Sequence, residues 1–103
     1  MSMSRPNAPI CVVLLRYRVP VSEVDAHMPA HVAWLEKGYA EGLFLMSGRR
    51  VPRTGGVILV RGHRQEVEAL MASDPFVSSG SAEAEVIEFT ASMAVEAVAV
   101  ALA

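Results

Sequence analysis

The sequence lacks the features that would indicate disulfide bonds, nucleic-acid binding or a membrane segment. It has a single cysteine, Cys11, which cannot form an intramolecular disulfide and whose place in an apolar run predicts a buried thiol. Nine Lys and Arg residues against eleven Asp and Glu residues give a net charge of −2, which provides no basic surface for nucleic acid. No segment approaches the ~20 apolar residues that span a bilayer, and the N-terminal residues lack the apolar region of a signal peptide. We therefore expect a cytoplasmic protein that binds neither nucleic acid nor a membrane.

Apolar side chains, in contrast, are abundant. They make up 52% of the 103 residues, which is enough for one packed core but, at this length, not for a second domain. The segments follow the order β-α-β-β-α-β, with strands predicted at residues 10–15, 43–46, 57–60 and 84–90 and helices at residues 22–42 and 65–73. We expect residues 1–9 to be a flexible lead-in, residues 10–90 the domain itself, and residues 91–103 a C-terminal segment that can form a short helix.

The first helix carries a start signal, a break signal and an apolar face. Ser22, followed by Asp25 three residues later, resembles a capping box and is predicted to be the N-cap. Pro29 lies inside the helical pattern, and because its ring has no N–H we expect either a kink or a second helix with Pro29 in its first turn. Apolar residues at spacings of three or four predict an inward face made of Val24, Met28, Val32, Leu35 and Tyr39.

This element order is typical of the ferredoxin-like fold, an α+β fold in which two helices cover one face of an antiparallel four-stranded sheet. Residues 47–56 are predicted to form the loop between the second and third strands. The first three strands are continuous apolar runs, so both faces of the sheet are predicted to be buried. A second copy of the chain on the open face, in a symmetric homodimer, is the simplest cover. The alternative is that residues 93–103 fold over that face, although such a segment spans only ~16 Å as a helix. We favour the homodimer.

His31 and Asp74 are the most plausible chemical pair in the chain. A histidine exchanges protons near neutral pH, and a carboxylate can orient it and stabilise its charged form. His31 borders the apolar face of the first helix, and Asp74 precedes the proline that ends the second. Each residue also has an ordinary explanation, as a half-buried histidine bonded to a carbonyl and as an aspartate that caps a turn. If the helices lie side by side on the sheet, the two side chains can meet in one cleft.

Neither a metal nor an organic cofactor is expected. His27 and His31 have an i,i+4 spacing, but Pro29 between them distorts the helix and no His-Glu-x-x-His pattern accompanies them. The segment around Gly55 and Gly56 lacks both a P-loop pattern and a following helix, so it is not predicted to hold phosphate.

A series of short motifs runs through the chain in a characteristic order. The motifs are His31-Val32-Ala33-Trp34-Leu35, Glu41-Gly42-Leu43, Ser47-Gly48, Gly55-Gly56 and Asp74-Pro75-Phe76 with Gly80. No single motif is specific, but the ordered series, from residue 10 to residue 89, resembles the YciI-like family of small α+β-barrel proteins.

The resemblance implies a dimeric α+β barrel, in which the ferredoxin-like sheets of two chains pack face to face. Related proteins include small enzymes that act on lactones and chlorinated hydroquinones, and by resemblance the family's active-site pair falls on His31 and Asp74. We expect the substrate pocket to be lined by Trp34, Ser47, Gly48, Arg49 and Phe76.

Two positions depart from the family pattern. The family often has Arg three residues before its histidine, where this chain has Met28, and Pro after its small-Gly pair, where this chain has Arg49. If the missing Arg normally anchors an anionic group, this protein takes a more neutral ligand. Alternatively, Arg49 or Arg16 supplies the charge from another direction.

Two functions are therefore expected as alternatives. The first is a cofactor-independent enzyme in which His31 is the general acid/base and Asp74 its orienting partner, with isomerase, lyase or hydrolase chemistry on a small cyclic or phenolic compound. The second is a non-catalytic domain that binds a small ligand or has an accessory role, in which the two residues maintain the cleft.

Overall fold

A computed structural model describes residues 2–103, and Met1, the first residue of the expected lead-in, lies outside the described residues. The elements in chain order are β1 (Met3–Ser4), β2 (Ala8–Tyr17), α1 (Val21–Ala26), α2 (Met28–Ala40), β3 (Phe44–Arg49), β4 (Gly55–Arg61), α3 (Arg64–Met71), α4 (Pro75–Ser78), β5 (Ala82–Ala91), β6 (Ala94–Val95) and α5 (Glu96–Leu102).

Four of the strands form the main sheet. They are antiparallel and lie in the order β3-β4-β2-β5, with the helices α1 to α4 on one face. This is the ferredoxin-like arrangement, so the predicted fold class is confirmed. β3 is longer than predicted, because Ser47 and Arg49 still pair with β4, opposite Ile58 and Gly56. The loop expected at residues 47–56 is therefore a hairpin of residues 50–54.

The first helical segment is two helices rather than one. α1 ends at Ala26 and α2 starts at Met28 with Pro29 in its first turn, which is the second of the two outcomes expected for this proline. The capping-box prediction was wrong. Pro20 is the N-cap of α1, and no side chain caps that helix.

The predicted apolar face of α2 is only partly buried, because Met28 and Leu35 pack against the apolar clusters but other members of that face are exposed. Val24 is fully buried in α1, but in α2 the buried residues are His31 and Gly38. Val32 and Tyr39, which were predicted to point inward, are 40% and 41% exposed. The helical period that predicted this face runs across the break at His27, so it does not hold for every residue of α2.

The helix-covered face of the sheet holds the main core. Alternate residues of β2 and β4 point toward the helices and meet apolar side chains of α3, and the buried members are Cys11, Val13, Leu15, Ile58, Val60, Val67 and Met71. Cys11 is buried, as predicted, and burial raises the pKa of its thiol, with the negative charge of Glu88 acting in the same direction. The helices therefore pack on an apolar core from which solvent is excluded.

The opposite side of the sheet, called here the open face, is only partly covered. Leu102 of α5 packs against Ile10 and Ala91 at one end of it. Arg61 fixes α5 there by donating hydrogen bonds to the last three backbone carbonyls of the chain, at 2.6, 3.2 and 3.3 Å. At the other positions Ile87 and Phe89 are 45% and 46% exposed. The C-terminal segment thus covers one end of the open face and leaves the rest uncovered.

The two ends of the chain meet outside the main sheet. β1 pairs with β6, with Met3 opposite Val95, and β2 begins at Ala8, two residues before the predicted start of the domain. Within residues 2–103, none of the helices combines the length and the apolar character needed to cross a membrane.

Candidate functional site

The position of His31 follows from the helix break. Because α2 starts at Met28, His31 lies at the end of its first turn, where its backbone N–H donates to the carbonyl of His27 at 3.0 Å. The side chain packs against Phe76 of α4 and is 10% exposed. A histidine this deep needs a polar partner for its ring, since an unpaired polar group in the interior costs roughly 1–3 kcal/mol.

Asp74 supplies that partner, and its own position is fixed by the end of α3. The helix ends at Met71, and Asp74 then adopts the extended conformation that a following proline requires. It is the N-cap of α4, because its carboxylate accepts a hydrogen bond from the Phe76 N–H at 3.0 Å. Asp74 therefore caps a turn, as one explanation of this residue predicted, and also lies beside His31.

The structure brings His31 and Asp74 together in one hydrogen bond. The distance between Nδ1 of His31 and Oδ1 of Asp74 is 2.7 Å, and Asp74 is completely buried. Oδ1 thus accepts from two donors, the imidazole and the Phe76 N–H. Oδ2 is also buried and has no hydrogen-bond partner within residues 2–103.

The hydrogen bond to Asp74 determines which ring nitrogen of His31 is available. An ionised carboxylate only accepts hydrogen bonds, so Nδ1 carries the proton and donates it to Oδ1. In the neutral imidazole, Nε2 is then the basic nitrogen. Nε2 has no hydrogen-bond partner in the described chain, and His31 is one of the residues that line a cavity. The arrangement places a proton acceptor at the cavity wall.

Aromatic packing holds the imidazole in place. The ring of Phe76 is parallel to that of His31, with 3.8 Å between ring centres and 9° between planes. Trp34 lies further away, 6.1 Å from the His31 ring, and donates from its indole nitrogen to the Ser73 hydroxyl at 2.9 Å. These contacts connect α2 to the segment that carries Asp74, so the ring has little freedom to turn.

The cavity beside His31 has a volume of about 250 Å³ and lies between α2 and the sheet. Of the five residues predicted to line a substrate pocket, Ser47, Gly48, Arg49 and Phe76 line this cavity. Trp34 does not, because its ring packs against Phe44 and its nitrogen is bonded to Ser73. The pocket lining as a whole stays a prediction until a ligand is seen there.

Several lining residues were not assigned to a pocket from the sequence. Met28, Val32 and Leu35 were predicted to be core residues, but they face the cavity. Tyr17 also lines it, and the alternation along β2 after Val13 and Leu15 is a signal that could have identified this residue.

Two glycines of β4 form the floor of the cavity. A side chain at Gly55 is impossible without moving the backbone, because a Cβ there would lie 1.8 Å from the Leu15 carbonyl oxygen. A Cβ at Gly56 would lie 3.1 Å from the Gly48 carbonyl oxygen, on the side of the sheet that faces α2. The missing side chain of Gly56 leaves room for a ligand over the sheet, whereas Gly55, opposite Arg16, allows the close approach of the Leu15 backbone.

Two arginines lie near the cavity, but only one is neutralised. Arg53 donates to Asp25 at 2.6 Å, and this hydrogen bond holds the pKa of the Asp25 carboxyl below its usual value, with the charges of Arg53 and Arg49 acting in the same direction. Arg49 itself makes no hydrogen bond or ion pair within residues 2–103. The residues that line the cavity include no Asp or Glu.

Other charged clusters lie away from His31. Arg16 is bonded to Glu83 across β2 and β5, beside a wider depression along β5 that does not include the His31–Asp74 pair. Within the described residues, no group of three or more His, Cys, Asp or Glu side chains is placed to hold a metal ion.

Together, the fold and the buried pair define a small ferredoxin-like α+β domain with a His–Asp pair on the wall of a cavity. Comparison with family models agrees, since residues 10–90 match the family described as the YCII-related domain. The chain belongs to this family, and the resemblance predicted from the sequence is confirmed. Comparison with curated proteins finds no match.

A solved structure shares the fold. It is that of 5-chloro-2-hydroxyhydroquinone dehydrochlorinase (TftG) from Burkholderia phenoliruptrix AC1100 in complex with 2,5-dihydroxybenzoquinone. The similarity has a TM-score of 0.67 at 20% sequence identity and covers 78% of this chain and 92% of the other. At this identity the likeness establishes the common fold alone.

Proposed function

We propose that the protein is an enzyme that transfers protons on a small cyclic or phenolic compound, with His31 as general acid/base. The observation that carries the proposal is the 2.7 Å hydrogen bond between His31 and the fully buried Asp74 at the wall of a cavity. A histidine held by a carboxylate in this way has a defined tautomer and a fixed direction of attack.

In the proposed reaction, Nε2 of His31 accepts a proton from a C–H or O–H group of the substrate, and the electron pair of that bond stays on the substrate. In an isomerisation, the imidazolium returns the proton to another atom of the substrate. In an elimination, the leaving group departs with the electron pair of its own bond, and the imidazolium gives its proton to that group or to water. Asp74 is the positioning residue that stabilises the charged ring during the step. The proton transfer itself requires no cofactor.

The size of the cavity and the family both support a substrate with one ring. An apolar cavity of about 150 Å³ is known to admit benzene, and this one is about 250 Å³. The similar structure TftG is a dehydrochlorinase of a hydroquinone and holds a benzoquinone. A small phenolic or cyclic compound therefore fits both observations.

We also propose that the protein functions as a homodimer through the open face of the sheet. Met46, Ile87 and Phe89 are 56%, 45% and 46% exposed on this face, next to the end that α5 covers. Apolar side chains of this size on one sheet face are best hidden by the same face of a second copy, because a symmetric contact is self-complementary. The cytoplasmic location stays a prediction.

The experiment is a screen of small lactones, hydroquinones and halogenated phenols for turnover by the purified protein, followed by comparison with His31→Gln and Asp74→Asn. We expect His31→Gln to lower kcat by about 10²–10⁴-fold, the usual contribution of a general acid or base. Asp74→Asn is expected to lower kcat less, since it keeps an oxygen for the Phe76 N–H but loses the charge.

The matched control is His63→Gln, because this exposed histidine lies at the start of α3, away from the cavity. Its activity is expected to equal that of the natural protein. Turnover that survives in folded His31→Gln contradicts the proposed role. Saturable binding of the screened compounds without any turnover supports the non-catalytic alternative instead.

A further inference from the structure

Arg49 and its neighbour Arg50 have no side-chain hydrogen bond or ion pair within residues 2–103, but of these two only Arg49 lines the cavity that contains His31. Arg16 is bonded to Glu83, Arg53 to Asp25, and Arg61 to the C-terminal carbonyls. Within residues 2–103, Arg49 makes neither a hydrogen bond nor an ion pair, although it lines the cavity that contains His31.

Strand register explains why Arg49 reaches this cavity. Ser47 pairs with Ile58, which is buried beneath the helices, so Ser47 and Arg49, two residues further along β3, lie on the helix-covered face. Arg49 pairs with Gly56, which has no side chain to shield the guanidinium. The Ser47 hydroxyl is held on the same wall by a 2.7 Å hydrogen bond with the Tyr39 hydroxyl.

The charges around the cavity favour an anion. Its lining contains Arg49 and His31 but no carboxylate, and Asp74 lies behind the imidazole. The charge of Arg49 acts on the Asp25 carboxyl, but that carboxyl is hydrogen-bonded to Arg53 and not to Arg49. Within residues 2–103, Arg49 therefore has no carboxylate in direct contact at the wall. A guanidinium in this situation binds an oxyanion through paired hydrogen bonds that a neutral group cannot match.

We infer that Arg49 is a specificity-determining residue that selects a ligand with one ring and a single negative charge, carried by a carboxylate or a ring phenolate. The ring lies over the floor made by Gly55 and Gly56, and the oxyanion contacts the guanidinium. Of the two alternatives that Met28 left open, a neutral ligand or a charge supplied from another direction, the structure favours the second, with Arg49 rather than Arg16 as the source. This deepens the proposed function, on which it rests for the position of the ligand beside His31.

The test measures binding by protein NMR with simple probes. Benzoate and benzamide have nearly the same shape but differ in charge, and 4-nitrophenol, titrated below and above its ionisation, adds the phenolate. We expect benzoate to bind about 10–100-fold more tightly than benzamide, the range of one or two charge-assisted hydrogen bonds. Preference for benzoate or for 4-nitrophenolate identifies which of the two oxyanions the site takes.

Variants of Arg49 and of its neighbour test whether the preference for the anion comes from Arg49. Arg49→Gln is expected to abolish the preference for the anion, and Arg49→Lys to keep part of it, because the charge remains but the paired donors are lost. Arg50→Gln is the matched control, since this neighbouring residue does not line the cavity, and the preference is expected to be unchanged. Equal affinity for benzoate and benzamide, no binding of benzoate at millimolar concentration, or an undiminished preference in Arg49→Gln overturns the assignment.

Failure of this assignment is distinct from failure of the proposed function. If neutral ring compounds are turned over equally by the natural protein and Arg49→Gln, the enzyme proposal stands and the role of Arg49 is wrong. If the anion preference depends on Arg49 but no compound is turned over, Arg49 selects the ligand of a binding protein.

Discussion

The two faces of the main sheet are built from similar apolar side chains, but the chain completes only one of them. On the helix-covered face, Ile58 and its neighbours are 2% exposed or less, except at the edges, and the buried His–Asp pair lies above them. On the open face, α5 covers one end, and Ile87 and Phe89 remain 45% and 46% exposed. The difference separates the residues that make the site from those available to a second copy of the chain.

The largest expected effect on this difference between the faces comes from removing a buried side chain on the helix-covered face. Ile58→Ala is expected to lower the free energy of unfolding by about 3 kcal/mol, because it deletes a buried side chain and leaves a cavity under α2. Urea denaturation checks the value. Since Ile58 does not belong to the open face, the loss is expected to be the same at low and high protein concentration. A loss that grows on dilution would instead tie this residue to association.

The next largest effect is expected from placing a charge on the open face. Ile87→Glu places a carboxylate in the proposed dimer contact, where an unpaired charge is unfavourable, and it is expected to weaken self-association by about 100-fold, or roughly 2.7 kcal/mol. The monomer is expected to stay folded, since Ile87 is half exposed within one chain. Sedimentation at several micromolar concentrations measures the change. If the natural protein sediments as a monomer over this range, the homodimer proposal is wrong.

The smallest effect concerns a contact at the edge of the helix-covered face. Glu88 of β5 accepts a hydrogen bond from the Arg64 N–H at the start of α3, and this bond, followed by that of His63, lowers the pKa of the Glu88 carboxyl. A lowered pKa in the folded state means stability that is present above the unfolded value of about 4.3 and is lost as pH falls below it.

Glu88→Gln is therefore expected to reduce stability slightly at pH 7 and by a smaller amount near pH 3. Urea denaturation at the two pH values provides the comparison. Glu85→Gln is the control, because Glu85 lies on the same strand but faces the open side, opposite Leu14, and its side chain makes no hydrogen bond within residues 2–103. A difference for Glu88→Gln that persists undiminished at low pH would show that the carboxylate charge is not its source.

The fold could be predicted largely because periodicity is a local property. The β-α-β-β-α-β order followed from apolar runs and turn residues, and the fold then brought His31 and Asp74 to one place. The orientation of α2 could not be predicted, because the break at His27 depends on how α1 and α2 pack against their surroundings. The sequence also placed Trp34 in the pocket lining, because a local pattern carries no sign of its hydrogen bond to Ser73, 39 residues away.

The cavity illustrates a further limit of sequence reasoning. Gly55 and Gly56 were visible as a motif, but their purpose depends on what lies opposite them, the Leu15 and Gly48 carbonyl oxygens and the side chain of Arg49. The free charge of Arg49 became evident only when the partners of Arg16 and Arg53 were located. A positive residue in a sequence does not reveal whether a carboxylate in the same chain already neutralises it.

The double use of Asp74 Oδ1 has a consequence for the lifetime of the site. The same oxygen caps α4 through the Phe76 N–H and holds the His31 ring. Any local opening that moves the Asp74 carboxylate away therefore breaks both hydrogen bonds at once and leaves the amide hydrogen of Phe76 free to exchange. The rate at which this one amide exchanges for deuterium consequently sets an upper limit on how often such openings occur, with no substrate required.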